Sequence, residues 1–457
     1  MRNSKHLTLA ELAEAQDKTQ KDYRDLVKKA LLLAKQAGAE QAEIWCHHTV
    51  GNSIEVRNQE LETLEFNQDS HLSLNLYYKG CKGAASINDL THSGIEAGVK
   101  AALAIARFTE PDPFAGLAKK ERLATDFPDL GLSHLSKKTI PQLVEVAQAT
   151  EAVALANNSI KQSEGASVYG HSSFSIYANS LDFFADKNTS RYSLSTTMIA
   201  EGPQESMQRD GYYSISRDFH QIESPQQIGQ QAAEKVLARL HQGKAKSGTF
   251  PVVFTPETAR GIWSHLLSAL KGGALYQKAS FMLDKKGQQI VSGVISITED
   301  PFIQGGFGSC SYDSEGVATY RRDIVADGIL KDYFLSSYSA RRLGLESTAS
   351  AGGIHNILIS AQDTDQAKMI KELGTGLLVT ELMGQGVNLV TGNYSRGAGG
   401  FWFENGELQY FVQGITIAGN LSDMLMNVIS SGQDVDHRSS ILCGSLAIDG
   451  LAIATAS

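Results

Sequence analysis

The hydrophobic period of this chain changes at Gly38, and a chain that switches there must lay a helix on a sheet. Before it, Tyr23, Leu26, Val27, Ala30, Leu31 and Ala34 recur every three or four residues, which predicts an amphipathic helix over 21–37 with Gly38 as C-cap. After it the period is two. Ile54 and Val56, then Leu61, Leu64 and Phe66, then Leu72, Leu74 and Leu76 alternate with polar residues, with a break at Asn58-Gln59. The stretch from Ile44 to Ile87 therefore predicts an antiparallel meander with one buried face. An Ala-rich helix follows from Ser93 to Phe108, so that 21–110 reads as a small α+β domain.

The same mixture returns further on. Residues 1–20 are polar, rich in Ala, Glu and Gln, and read as a loose helix or tail. Pro111, Pro113, Pro128 and several glycines mark 111–135 as a linker. A central α+β domain over 136–245 follows. It has a helix at 140–157 with Pro141 in its first turn, alternating strands from Ala166 to Ile199 that turn at Ala185–Asn188, and a helix at 225–241 ending near Gly243. From 246 to 457 the pattern is mostly β. PVVF reads as a strand, Thr255 as an N-cap and Pro256 as the first helical residue, with Ile262, Leu266 and Leu270 along one helix face. Asp327-Gly328 and Asn405-Gly406 are two-residue hairpin signals. The expected fold class is α+β: two-layer helix/antiparallel-sheet domains followed by a mostly-β C-terminal domain.

Composition excludes several function classes. The 457 residues carry a formal charge of -9, against a nucleic-acid-binding surface. Four cysteines, none in a Cys-x-x-Cys pair, point to reduced thiols and a cytoplasmic setting. No apolar run approaches the roughly 20 residues that span a bilayer, and the N-terminus lacks the apolar core of a secretory signal. There is no HExxH, no GxSxG and no phosphate loop, since Gly243-Lys244 is followed by Ala245. The glycine-rich run from Arg396 to Gly400 leads into a hairpin, and reads as a turn or a close backbone approach rather than a phosphate site.

Three long stretches resemble the TldD/PmbA family, whose members are described as modulators of DNA gyrase and as peptidases. They are YDSEGVATYRRDIVADGILKDYFLSSYSARRLG (Tyr312 to Gly344), STASAGGIHN (Ser347 to Asn356), and LVTELMGQGVNLVTGNYSRGAGGFWFENGELQYFVQGITIAGNL (Leu378 to Leu421). The N-terminal helix, meander and second helix fit as well, so the resemblance covers nearly the whole chain.

The resemblance implies two paralogous types. The D-type carries HExxxH on a helix and a cysteine near the C-terminus. Two imidazoles and a thiolate would hold zinc at about 2.0–2.3 Å with a position left for water, and the glutamate would act as general base. Laid on SHLLSALKGG, the motif places His265 at the first histidine, Leu266 at the glutamate and Leu270 at the second histidine, with Cys443 near the cysteine. Leucine neither binds metal nor moves a proton. The resemblance therefore implies the E-type, or PmbA, branch: a chain with no metal of its own, in a heterodimer with a zinc-bearing D-type TldD paralogue, or a homodimer when alone. The substrates would be small unfolded peptides, such as leader peptides or antitoxins. His355, Asn356, Glu381 and Arg396 are possible substrate-cavity residues, and Phe401, Phe403 and Phe411 are expected at the dimer contact. Blander readings stand beside these. His265 reads as a partly buried helix histidine bonded to backbone, Cys443 as a small buried residue, and His355 as an ordinary loop histidine. Glu381, Asp313 and Glu315 are potential acid/base groups, though Asp-Ser-Glu-Gly reads first as turn chemistry. A stand-alone metallohydrolase with a non-standard site, or a regulator acting on gyrase, are the alternatives.

Overall fold

A single sheet runs through everything that the sequence divides at residues 111–135. The computed structural model describes residues 9–203 and 206–455. These form two units, Met1–Leu237 with Tyr312–Ala318, and Ala238–Ser311 with Thr319–Ser457.

The first unit contains α1 (Leu9–Gln36), β1 (Gln41–Arg57), β2 (Glu60–Tyr78), β3 (Cys81–Ile87), α2 (His92–Phe108), α3 (Ile140–Leu155), β4 (Ile160–Asn179), β5 (Phe184–Glu201), β6 (Met207–Ser216) and most of α4 (Pro225–Ala238). The strand order is β3-β2-β1-β4-β5-β6, antiparallel throughout. At roughly 3.3 Å per residue β1 is long enough to serve two cores. Ile44 and Cys46 join Val27, Ala30, Ile95 and Val99 of α1 and α2, while Ile54 and Val56 join Ile140, Leu143 and Ile228 of α3 and α4. Two helix pairs on one sheet explain why the sequence reads as two modules. The Asn58-Gln59 turn falls where the break in alternation places it, with φ of 52° and 65°. Buried Glu151 caps it, accepting from both backbone N–H groups.

Of the two readings of residues 1–20, helix or tail, residues 9–20 form the helix, as part of α1, because Ala, Glu, Gln and Lys are strong helix formers; residues 1–8 lie outside the described ones. One expectation needs correction here. The β4–β5 turn is not at Ala185–Asn188, which pairs with Tyr177–Phe174 inside the ladder. The chain turns after Asn179, whose side chain accepts from the N–H groups of Leu181 and Phe183, with Asp182 at φ 68°.

The second unit contains β7 (Gly248–Phe254), α5 (Pro256–Ala269), α6 (Gly272–Tyr276), β8 (Ile297–Asp300), β9 (Arg322–Ala326), β10 (Ile329–Leu330), α7 (Ser337–Leu343), β11 (Asn356–Ile359), α8 (Gln366–Leu373), β12 (Gly376–Met383), β13 (Asn393–Glu404), β14 (Glu407–Asn420), α9 (Leu421–Met426), β15 (Val428–Ser431), β16 (Ile441–Leu442) and β17 (Leu446–Thr455). One sheet has the order β10-β9-β8-β11-β16. The other has the order β14-β13-β12-β7-β17-β15, and a further pairing of β14 with β17 closes it on itself. Alternation sorts its side chains. Val252, Phe254, Leu377 and Val379 pack with α5, whereas Val253, Leu378 and Phe403 pack with Met369 and Ile370 of α8. Asp327-Gly328 and Asn405-Gly406 turn their hairpins with positive φ at both residues. Phe403 and Phe411 are fully buried and Phe401 packs beside them. Phe403 and Phe411 are thus covered within the chain's own fold, whereas Phe401 stays half-buried.

Candidate functional site

Helix α5 carries the motif positions, and its start follows from its sequence. Thr255 is extended at the N-cap, Pro256 occupies the first turn, and Thr258 Oγ1 donates to the Thr255 and Val379 carbonyls. Its apolar face is Ile262, Trp263, Leu266, Leu267 and Ala269, closed by the C-cap Leu270. Leu266 and Leu270 are both 0% exposed and lie in the main core of the unit. No polar group at either position would find water.

Cys443 is separated from His265. Its thiol donates to the Pro256 carbonyl at 3.6 Å, which places it at the first turn of α5. At 1.5 Å rise per residue, His265 lies about 14 Å further along the axis. Burial pushes the Cys443 thiol up to about 12, so on its own it is a neutral thiol. Around it, Arg260 pairs with Asp436, and Arg438 bridges Asp436 and Glu257, locking the start of α5 to the β16 loop. Zinc needs three protein donors around an open position. Here one imidazole has core leucines at the other two motif positions, and the thiol is at the other end of the helix. The residues present do not fit the metal, and among the described residues no three His, Cys, Asp or Glu side chains gather to hold one.

His265 and Arg396 do come together. Tyr394 and Arg396 are two apart on β13 and so face the same side, toward α5. The His265 and Tyr394 rings meet edge to face, 6.1 Å between centroids. Burial, and secondarily the charge of Arg396, hold the His265 pKa below 6.5, favouring the neutral ring. Burial pushes the Tyr394 hydroxyl up to about 12, with Arg396 pulling against that rise. His265 Nε2, Tyr394 Oη and Arg396 Nε are all buried without a hydrogen-bond partner among the described residues. The backbone bond expected of His265 is thus not made at Nε2. Tyr394 is the residue that sequence reasoning missed; its signal was its place two residues before Arg396 on a strand.

The other expected residues go elsewhere. Glu381 pairs with Arg239 at 2.9 Å, on the opposite side of the sheet from Arg396. His355 donates its backbone N–H to Glu299 and its Nε2 lies 3.0 Å from the Ala349 carbonyl. Asn356 donates to the Asp300 carbonyl and to Ser309, and accepts from the Gly308 N–H. Both tie down a loop. Asp313 is turn chemistry, its carboxylate accepting from the Glu315 and Val317 N–H groups. A cleft of about 370 Å³ lies nearby, lined by Lys271, Tyr276, Tyr338 and the Ser350–Gly353 turn among others. It assembles from segments far apart in sequence, so no local pattern announced it.

Comparison with known proteins fits this arrangement. Residues 42–106, 133–240 and 247–455 match domain 1, the central domain and the C-terminal domain of the PmbA/TldA metallopeptidases. The chain is 45% identical to the Escherichia coli O157:H7 protein named metalloprotease PmbA, over 95% of this chain and 96% of that one. It is 44% identical to the Haemophilus influenzae homologue of that protein, over the same shares. A crystal structure from Bacteroides thetaiotaomicron, described under the name modulator of DNA gyrase, superposes with a TM-score of 0.90 at 29% identity, covering 95% of this chain and 99% of that one. No helix among the described residues is long and apolar enough to cross a membrane. From end to end, then, this chain belongs to the TldD/PmbA family.

Proposed function

We propose that this chain is the non-catalytic, E-type subunit of a zinc peptidase whose metal sits on a D-type paralogue. The pair would act in the cytoplasm on small unfolded peptides such as leader peptides or antitoxins. The observation that carries this reading is the pair Leu266 and Leu270, wholly buried at the positions where the D-type pattern has its base and second ligand. A general base must reach the proton it abstracts, and neither position has a titratable group or an open side. The chain's part is then to complete the dimer and shape the cavity in which peptide lies.

The test is co-expression with a D-type paralogue from the same source, followed by size-exclusion chromatography, elemental analysis and peptide cleavage. The pair should co-elute, carry zinc on the D-type chain and cleave; the E-type chain alone should do none of these. The printed name of the Escherichia coli relative, metalloprotease, favours a second reading in which this chain hydrolyses peptides by itself. About one zinc per chain on the isolated protein, lost in His265→Ala, would establish that reading and overturn ours. A role on gyrase itself predicts capture of gyrase by the isolated chain in a pull-down; the subunit reading predicts none.

A further inference from the structure

Buried polar groups are almost always paired, and a donor left without an acceptor costs about 1–3 kcal/mol. In this chain the described residues with such atoms include His265, Tyr394 and Arg396, three neighbours on α5 and β13. Tyr394 is only 2% exposed. Its hydroxyl can donate, the guanidinium can only donate, and a neutral imidazole can donate from either nitrogen. Arg396 makes no ion pair among the described residues. Glu381 is held by Arg239 on the other side of the sheet, and Asp436 by Arg260 and Arg438 at the far end of α5. The cluster thus offers donors beside an Arg396 charge that no described carboxylate pairs. The space beside it is open. Gly261 lies one turn before His265 on the same face, and a Cβ there would meet only Leu382, at 4.0 Å. His265 and Arg396 are each half-buried, so the cluster reaches solvent.

We propose that His265, Tyr394 and Arg396 form a receptor for a peptide carboxylate, so that the helix bearing the degenerate motif captures a chain it does not cut. The proposal rests on the reading of peptides as the substrate class. Arg396 offers a fork that matches two carboxylate oxygens, and Tyr394 and His265 each add one donor. Charge-assisted bonds of this kind are worth about 1.5–3 kcal/mol, or roughly 10–100-fold in affinity. A chain terminus and an acidic side chain offer the same group.

Calorimetric titration of the full chain with short apolar peptides separates these possibilities. A free-acid peptide should bind at least about tenfold more tightly than its C-terminal amide. Arg396→Gln should abolish that preference, Arg396→Lys should keep part of it, and Tyr394→Phe should weaken it several-fold while leaving the ring packing in place. An amidated peptide with one internal Glu that binds as well as the free acid would identify the side chain, not the terminus, as the source. Equal affinity for acid and uncharged amide, no binding of either, acetate binding as tightly as the peptide, or an unchanged preference in Arg396→Gln would each overturn the receptor. Co-elution with a D-type paralogue is measured in parallel. If assembly holds and the carboxylate preference is missing, the receptor falls and the subunit reading stands.

Discussion

The second unit holds two buried polar clusters that differ in one respect. Around Glu299, which is 1% exposed, every group has an answer. Arg322 bonds Glu299, Asp332, the Tyr333 carbonyl and Ser350, and stacks on Phe334, while the other Glu299 oxygen accepts from the His355 backbone. Around Tyr394 the Arg396 guanidinium lies against the Tyr394 hydroxyl, and among the described residues no carboxylate answers its charge. Glycine-flanked His355 stood out in the sequence and is tied into the completed cluster. His265 looked like an ordinary helix histidine and sits with the unsatisfied group. Burial and polarity alone do not mark a site; incomplete pairing does.

Mutations should separate the two clusters and the leucines between motif and core. The largest effect is expected from Leu266→Glu with Leu270→His, which rewrites the HExxxH pattern inside a packed core. Burying a carboxylate and an imidazole there should cost several kcal/mol in urea unfolding, with weak zinc binding and no useful peptide turnover. Robust zinc-dependent cleavage, measured free of any D-type contaminant, would mean the scaffold is still preorganised for catalysis. Next, Arg322→Ala strands the Glu299 carboxylate and should destabilise by about 3–5 kcal/mol. Asn356→Ala should cost less, about 1–3 kcal/mol, because it orphans the Gly308 N–H and the Asp300 carbonyl. Tyr394→Phe should lie within about 1 kcal/mol of the parent protein, since it deletes a buried hydroxyl whose proton has no acceptor among the described residues. A loss of about 2 kcal/mol or more there would show the hydroxyl to be paired and erase the contrast.

The smallest effect is a pH slope. His265 has its folded pKa below the ordinary 6.5, so above that value both states are neutral and the residue adds no pH dependence. As pH falls below 6.5 the unfolded chain takes up the proton first, and stability declines until the folded pKa is passed. His47, His48 and His171 act in the same direction. The informative quantity is therefore a difference: His265→Gln should flatten the decline between pH 7 and pH 5 relative to the parent protein. An unchanged slope would place His265 in a solvated setting.

Much of the fold was legible because periodicity is local. The helix before Gly38, the Asn58-Gln59 turn and the Asp-Gly and Asn-Gly hairpins were all readable from their own residues. What was not readable depends on pairing at a distance. The register of β1 with β4, from Glu43 opposite Asn179 to Val56 opposite Ala166, joins segments that the proline-rich stretch separates. Phe403 looked like an edge residue because nothing local shows that Met369 and Ile370 of α8 cover it. The site was half legible. The leucines at the motif positions declared themselves, and Arg396 was noted, but the approach of β13 to α5 that gives Arg396 its neighbours is tertiary.

The ring of strands has a consequence for how the chain is made. β7 pairs on one side with β12 and on the other with β17, which also seals against β14. At about 5–20 residues per second, the interval between synthesis of β7 and β17 is on the order of ten to forty seconds. Through that time Val252, Val253 and Phe254 carry an open, apolar strand edge, while the helix pairs and sheet strands of the first unit already have nearly all of their sequence. The vulnerable period of this protein is therefore its own translation, and a chaperone that shields a nascent strand edge has the most to do there.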